Sequence, residues 1–281
     1  MEVDVMLKLS ISDKYGNIKK GRNDYEEESH NLESAGDTMC YIASQDFIFE
    51  EGDEINIFVA QKNQYLMVKL DESLDSTIVF IPSHSWTYRI NMEQTAKEAM
   101  PDHRFKSKRH YLGVRYATNE EIRRYQNWAL NPHDQKEFSG AYPHASANVE
   151  TRNDATFFAC NAINGIYANN SHGSYPYQSW GINRQSDATL TIDFGRLVEV
   201  DKIGITIRAD FPHDSYWTEV TLLFSDASSE TFSLQKNTSP QFFCFKKRAV
   251  TYVRLTNLVK AKDESLFPAL TEFEVYGINK L

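Results

Sequence analysis

The chain has 281 residues and a formal net charge of −9 at pH 7. A chain of this length is long enough for one large or two ordinary domains, and it can bury a core without a disulfide or metal staple. The acidic balance argues against sequence-independent binding to nucleic acid, because such binding needs many Lys and Arg side chains on the phosphates. We therefore expect no nucleic-acid partner.

The cysteines and the N-terminal residues indicate neither a disulfide scaffold nor a targeting segment. Cys40, Cys160 and Cys244 are odd in number and widely spaced, which fits no disulfide framework and no metal-ligand pattern. The first residues, MEVDVMLKLSIS, are acidic and alternate apolar with polar side chains, as a strand does and a signal peptide does not. No apolar run is long enough to span a bilayer. We expect a cytoplasmic protein with no membrane partner.

Residues 1–91 predict a small N-terminal β-sandwich domain. Apolar and polar residues alternate from Val3 to Ile11, which is the period of a half-buried strand. A polar stretch over 13–36 predicts a long exposed loop or hairpin. Five further strand-like segments follow, separated by turn-like sequences, at 40–49, 54–60, 65–70, 77–82 and 86–90. Short strands at this spacing are typical of a sandwich.

Residues 92–133 predict a linker with one or two short helices. The first helix is expected within 91–100. The second is expected over 118–130 and begins with a capping box, Thr118 with Glu121, in which each side chain satisfies a free backbone N–H of the first turn. We expect this second helix to join two all-β halves.

Residues 134–281 predict a second β-sandwich. Seven segments alternate cleanly between turn residues, at 188–195, 200–208, 219–225, 230–235, 241–246, 251–258 and 271–277. Because no helical segment separates them, antiparallel pairing is expected. The predicted fold class is therefore all-β, with two β-sandwich domains joined by a short helical linker.

Three segments of the C-terminal half, in this order, resemble one known family. They are NAINGIYANNSHGSYPYQSW (161–180), LTIDFGRLVEVDKIGI (190–205) and LTEFEVYG (270–277). Together they look like the discoidin or coagulation-factor type C domain, a galactose-binding-like fold whose carbohydrate-binding branch is carbohydrate-binding module family 32. The resemblance covers roughly residues 130–281. It implies a jelly-roll-like sandwich that binds a ligand, such as a sugar, with loops at one end.

The resemblance also implies a structural Ca²⁺, because many domains of this family carry one. The matching positions are the turn Asn164-Gly165 and Glu272, and main-chain carbonyls around Asn161, Ala162 and Thr271 are expected to complete the shell. Ca²⁺ takes about six to eight oxygen ligands, which an irregular turn and a carboxylate can supply. The family's usual Asp-Gly is Asn164-Gly165 here, so one carboxylate has become an amide. The alternative is that Asn-Gly serves only as a turn.

Two loops combine aromatic and polar side chains in the way a sugar site requires. An aromatic ring stacks on the C–H face of the sugar, and fixed polar groups bind its hydroxyls. The loops are HGSYPYQSWGINR (172–184), in which we expect Trp180 to belong to the core, and ADFPHDSYW (209–217). The candidate ligand-binding residues are His172, Tyr175, Tyr177, Arg184, Arg208, Asp210, His213, Tyr216 and Trp217.

The second loop also has a purely structural interpretation. Tyr216 and Trp217 are adjacent, so in an extended segment they point to opposite faces and at most one is free for a ligand. Arg208 paired with Asp210 or Asp214 would make the loop a packed, ion-paired corner. The sequence leaves both interpretations open.

The sequence predicts a non-catalytic, lectin-like protein that binds a sugar or glycan end group through the C-terminal sandwich. It contains none of the catalytic motifs G-x-S-x-G or H-E-x-x-H and no Gly-rich phosphate loop. The alternative function is a structural or interaction module with a protein partner or self-association. A third hypothesis is an enzyme with its site between the two domains.

Overall fold

The computed structural model describes residues 7–280, and the chain forms two compact units. The first unit extends to Thr118 and also takes in residues 138–141. The second comprises residues 119–137 and the chain from Tyr142 onward.

The first unit is a sandwich of two four-stranded antiparallel sheets. Its elements are β1 (Leu7–Ser12), β2 (Lys20–Gly21), β3 (His30–Asn31), β4 (Glu33–Gly36), β5 (Met39–Ser44), β6 (Glu54–Val59), β7 (Gln64–Lys69), β8 (Thr77–Ile81), β9 (Ser85–Arg89), α1 (Gln94–Glu98) and β10 (His110–Tyr116). The sheet orders are β4-β1-β6-β9 and β5-β10-β7-β8, and β2 pairs with β3 as a separate hairpin. The start of the first predicted strand, with Val3 and Val5, lies outside the described residues.

One apolar core fills the first sandwich. Alternate residues of a strand point to the same face, so Leu7 and Leu9 of β1 face inward together. They belong to one cluster with Ile42 of β5, Val68 of β7 and Leu112 of β10. Burying each such side chain contributes about 1.5–3 kcal/mol, which is the main force that holds the two sheets together.

The second unit is built on one antiparallel ladder. Its elements are α2 (Asn119–Arg123), β11 (Gln126–Asn127), β12 (His144–Ala147), three short 3₁₀ helices (Thr151–Asn153, Ala155–Phe157 and Ala159–Ile163), β13 (Trp180–Gly181), β14 (Leu190–Ile207), β15 (Trp217–Phe224), β16 (Ser229–Ser233), β17 (Gln241–Lys260) and β18 (Ala269–Asn279). The strand order is β11-β18-β14-β17-β15-β16, with β12 paired to β14 and β13 paired to β18.

Strand β14 changes its neighbour partway along its length. Its first part, to Asp193, pairs with β12, and from Val198 onward it pairs with β18. The register shifts between these two residues, where Gly195 has φ +65°. An added Cβ at Gly195 would lie 2.1 Å from the ring of Tyr142, so only glycine fits this bend. One ladder thereby supplies both layers of a sandwich.

The structure differs from the predicted linker at 92–133. Strand β10 falls within that range, yet it lies between β5 and β7, because Leu112 and Val114 alternate into the core of the first unit. The helix expected over 118–130 ends at Arg123, since the chain then pairs with β18 as β11.

The predicted all-β fold class is confirmed, since antiparallel strands dominate both units. The two α-helices within residues 7–280, α1 and α2, have five residues each. No helix within residues 7–280 has the length and apolar character needed to cross a membrane.

Candidate ligand-binding cleft

A cleft of about 690 Å³ opens at one end of the second unit. Ile207, the last residue of β14, pairs with Leu270 near the start of β18, so the loops beside these two residues emerge together. The loop after β14 and the loop before β18 form two walls, and the 3₁₀ segment forms a third. The lining residues are Thr151, Arg152, Phe157, His172, Gly173, Gly181, Ile182, Asn183, Arg208, Pro212, His213, Glu264, Ser265, Leu266, Phe267, Pro268 and Ala269.

A buried ion pair anchors one wall of the cleft. Arg208 directly follows β14 and is only 5% exposed, and its backbone N–H donates to the carbonyl of Ala269. Its Nε lies 2.9 Å from Oδ1 of Asp210, whose side chain is 9% exposed. Nε and Oδ1 are close enough for an ion pair, but they are not aligned for a hydrogen bond. Neither atom has a hydrogen-bond partner among the described residues. The guanidinium is therefore held at the cleft with its charge compensated.

Asp210 also holds His172, which comes from the other predicted loop. Nδ1 of His172 is hydrogen-bonded to Oδ2 of Asp210, and the His172 ring remains about half exposed. The carboxylate thus bridges an exposed imidazole and a buried guanidinium. This brings together three of the predicted ligand-binding residues, His172, Arg208 and Asp210.

The backbone of His213 ties the two cleft walls to each other. Its N–H donates to the carbonyl of Asp210 at 3.0 Å, which closes a turn. Its carbonyl accepts from the Ser265 hydroxyl at 2.6 Å and from Nη2 of Arg208 at 3.4 Å. These bonds hold the His213 backbone in place, and its exposed side chain lines the cleft.

The apolar wall consists of residues that sequence reasoning missed. Leu266 and Phe267 line the cleft, and Phe267 is 40% exposed. The guanidinium carbon of Arg184 lies 4.4 Å from the centre of the Phe267 ring, a cation–π contact. The predicted residue Arg184 therefore contacts the aromatic wall. The sequence feature that could have predicted this wall is the apolar pair Leu266-Phe267, which lies near the end of an otherwise polar loop.

Trp217, predicted as a stacking residue, is fully buried and does not face the cleft. It begins β15 on the inward face, and its ring centre lies 6.4 Å from that of Trp180. Trp180, expected in the core, is also fully buried, which confirms that expectation. Trp86 and Trp128 are buried as well, so all four tryptophans are core residues.

The remaining predicted aromatics also lie outside the set that lines the cleft. Tyr175 is exposed, Tyr177 is half-buried, and the half-buried Tyr216 accepts the Ala261 N–H at its backbone carbonyl. Asp214 is buried, with Oδ1 3.4 Å from Nζ of Lys236. The 209–217 loop therefore combines both interpretations, since its first part lines the cleft and its second part is packed.

The residues predicted to hold Ca²⁺ fit a cation in part. Glu272 is fully buried, and burial raises the pKa of its carboxyl well above the ordinary range. Oε2 accepts the Gly165 N–H at 3.1 Å, whereas Oε1 is enclosed with no hydrogen-bond partner within residues 7–280. A cation beside Oε1 would relieve this burial of a carboxylate.

The two asparagines are already used locally. Nδ2 of Asn161 donates to the carbonyls of Ala155 and Ser179, at 2.9 and 3.4 Å. Oδ1 of Asn164 accepts the Ile166 N–H at 2.8 Å, which closes the turn over Gly165. Each amide oxygen has two lone pairs, so the Asn164 oxygen keeps one for a second contact.

Comparisons with known proteins find similar solved structures but no family model and no curated protein that match. The chain is 18% identical to the family 32 CBM from C. perfringens NanJ in complex with galactose, over 47% of this chain and 91% of that one, with a TM-score of 0.36. It is 20% identical to a Streptococcus pneumoniae fucose binding module, SpX-3, over 54% and 98%, with a TM-score of 0.39.

A third similar structure is the lectin domain of lectinolysin complexed with Lewis B antigen. That match has 18% identity over 56% of this chain and 98% of that one, with a TM-score of 0.39. By their descriptions, one of these three structures is a family 32 CBM, one is a fucose binding module and one is a lectin domain. At such identities and TM-scores, none of them assigns a ligand to this chain.

Proposed function

We propose that the second unit binds a sugar or glycan end group, without catalysis, in the cleft between the loops at 208–213 and 261–268. The observation that carries this proposal is that an exposed aromatic ring, Phe267, and a buried guanidinium, Arg208, line the same cleft. Asp210 holds the guanidinium in place. The cleft volume of about 690 Å³ lies within the range of about 300–1,000 Å³ that is typical of small-ligand sites.

Each part of the cleft has a role in this proposal. The Phe267 ring stacks on the C–H face of the sugar, where it removes apolar surface from water. The N–H groups of Arg208 donate to hydroxyl oxygens, and the His213 imidazole binds a hydroxyl at the rim. Since Arg208 is buried and oriented before the ligand arrives, little conformational entropy is lost on binding.

The test is a broad glycan array with the full chain, followed by calorimetry with the best-bound glycan. Phe267→Ala is expected to weaken binding about tenfold or more, because burying a Phe side chain contributes about 1.5–3 kcal/mol. The matched control is Phe242→Ala, which removes an exposed ring of β17 that lies outside the cleft lining. An array without hits, or equal affinity for Phe267→Ala and the wild type, would contradict the proposal.

We further propose that Glu272, with oxygens of Asn161 and Asn164, binds Ca²⁺. The support is the buried Glu272 Oε1, which has no hydrogen-bond partner in the described part of the chain. A bound Ca²⁺ supplies positive charge that keeps this carboxyl ionised and joins β18 to the turn at Gly165. Calorimetry with Ca²⁺, wild type against Glu272→Gln, tests this, and equal affinity in both proteins would refute it.

An interaction module remains the alternative, and one observation favours it. Met39, Tyr41 and Tyr111 expose about half of their surfaces on β5 and β10, and the two Tyr rings stack with centres 6.1 Å apart. An apolar cluster on a sheet face is typical of a protein-binding or self-association surface. Light scattering of the wild type and of Tyr111→Ser tests self-association through this face, and a concentration-independent monomer for the wild type would exclude it.

A further inference from the structure

Three potential metal ligands meet in the first unit, beside the exposed Tyr111 described above. They are Asp71, Glu72 and His110, each of which places one ligand atom within 4.8 Å of the others. Around a divalent metal with bonds of about 2.0–2.2 Å, neighbouring ligand atoms lie about 3–4 Å apart. The three side chains are thus within a small adjustment of binding one ion.

The fold brings these residues together through the pairing of β7 with β10. Gly113 of β10 pairs with Lys69 of β7, and continuing this antiparallel register places His110 opposite Glu72. The Tyr111 N–H donates to Oε1 of Glu72 at 2.7 Å, which shows that the contact persists beyond the end of β7.

Asp71 is fixed by the loops on either side of it. Its Oδ1 accepts the Ser73 N–H at 2.8 Å, and its Oδ2 accepts the Phe105 N–H at 2.9 Å. Phe105 is a buried residue with φ +56°, a conformation that is uncommon for an aromatic residue and that this bond supports. Carboxylate oxygens keep a second lone pair after each such bond, so Asp71 can still bind a metal.

His110 provides independent evidence for a ligand at this place. The side chain is buried, with 5% of the residue exposed, and its Nε2 is enclosed with no hydrogen-bond partner among the described residues. Its ring packs edge-on against Phe47 and Phe49, which offer no hydrogen-bond acceptor. A buried polar nitrogen without a partner is unfavourable, and a metal bond at this imidazole would satisfy one of its nitrogens.

We propose that Asp71, Glu72 and His110 bind a divalent transition metal of the borderline class, for which Zn²⁺ is the probe. One imidazole nitrogen with two carboxylates suits Zn²⁺, whereas Ca²⁺ and Mg²⁺ prefer oxygen ligands alone. Glu72 is exposed, so the ion can enter from solvent and keep water in its remaining positions. The ion would join the loop after β7 to the first residue of β10.

The experiment is calorimetric titration of the full chain with Zn²⁺ after treatment with chelator, with Ca²⁺ present in excess to occupy oxygen-only sites. The test variant is Glu72→Gln, because the amide oxygen can still accept the Tyr111 N–H while the charged ligand is lost. Removing a group that only hydrogen-bonds to a metal ligand lowers metal affinity about 10–100-fold. Removing Glu72, a direct ligand, is therefore expected to lower Zn²⁺ affinity at least about tenfold. Glu27→Gln, an exposed acidic residue of the same unit, is the matched control and is expected to bind as the wild type does.

His110→Phe is the second variant, and it keeps an aromatic ring in the contact with Phe47 and Phe49. A one-site Zn²⁺ isotherm that Glu72→Gln and His110→Phe weaken, and Glu27→Gln does not, supports the proposal. Absence of saturable Zn²⁺ binding in the wild type, or equal affinity in Glu72→Gln and the wild type, overturns it. If His110→Phe fails to fold, Glu72→Gln alone decides, because its exposed side chain has no part in the core.

Discussion

Asp210→Asn removes the charge that compensates a buried guanidinium, and it is expected to destabilise the second unit. Only 6% of the Arg208 side chain and 9% of the Asp210 side chain are exposed, so solvent screens the pair poorly. Breaking a buried ion pair by removing one partner costs about 3–5 kcal/mol, and we expect about 3 kcal/mol because the amide oxygen still accepts hydrogen bonds. For a unit of this size, each kcal/mol shifts the melting temperature by about 2–4 °C, which gives about 6–12 °C.

Scanning calorimetry of the full chain measures this shift in the transition that belongs to the second unit. The matched control is Glu199→Gln, which removes the charge from a more solvent-accessible pair with Lys247 at 3.1 Å, in which the side chains are 29% and 54% exposed. Pairs of that kind contribute about 0–1 kcal/mol, so the control is expected to melt within about 4 °C of the wild type. If Asp210→Asn melts no lower than Glu199→Gln, the ion pair is not what holds the cleft wall, and its assigned role is wrong.

Three further substitutions test other parts of the second unit. Trp217→Ala is expected to cost about 3–5 kcal/mol of stability, measured by urea unfolding, while glycan affinity of the folded fraction stays unchanged. Gly195→Ala, which introduces a Cβ against Tyr142 at positive φ, is expected to cost about 1–3 kcal/mol by the same assay. With Ca²⁺ chelated, burial raises the pKa of Glu272, so the folded chain favours the protonated carboxyl. The contribution of this residue to the free energy of unfolding is therefore fully present at acid pH. It is lost as the pH rises from the ordinary Glu range toward the raised pKa. Urea unfolding across pH is expected to show this fall in the wild type, and Glu272→Gln is expected to flatten it.

Much of the strand content was predictable because alternation of apolar and polar residues is a local signal. The segments at 54–60, 65–70, 77–82 and 86–90 coincide closely with β6, β7, β8 and β9. Two pairs of predicted strands in the second half are instead the single long strands β14 and β17. Turn-like residues predicted a break within each of these strands. In the structure, β14 and β17 stay paired across those residues, and the pairing register shifts there instead.

The cleft was predictable only where polar side chains cluster in the sequence. His172, Arg208, Asp210 and His213 were singled out from two dense loops, and the structure places all four at one cleft. Phe267 was missed because it is the only aromatic residue of its loop. It lines the same cleft as Arg208 because β14 pairs with β18. The role expected of Trp217 was wrong because burial depends on packing that the local sequence does not reveal.

The burial of all four tryptophans has a consequence for spectroscopy. One of them, Trp86, belongs to the first unit, and Trp128, Trp180 and Trp217 belong to the second. Since no indole lines the cleft, intrinsic fluorescence is expected to be nearly silent on sugar binding and sensitive to unfolding. A Trp86→Phe variant keeps an aromatic ring in the first core and leaves the three tryptophans of the second unit in place, so its emission would report unfolding of the second unit alone. The difference between its emission and that of the wild type would then isolate unfolding of the first unit.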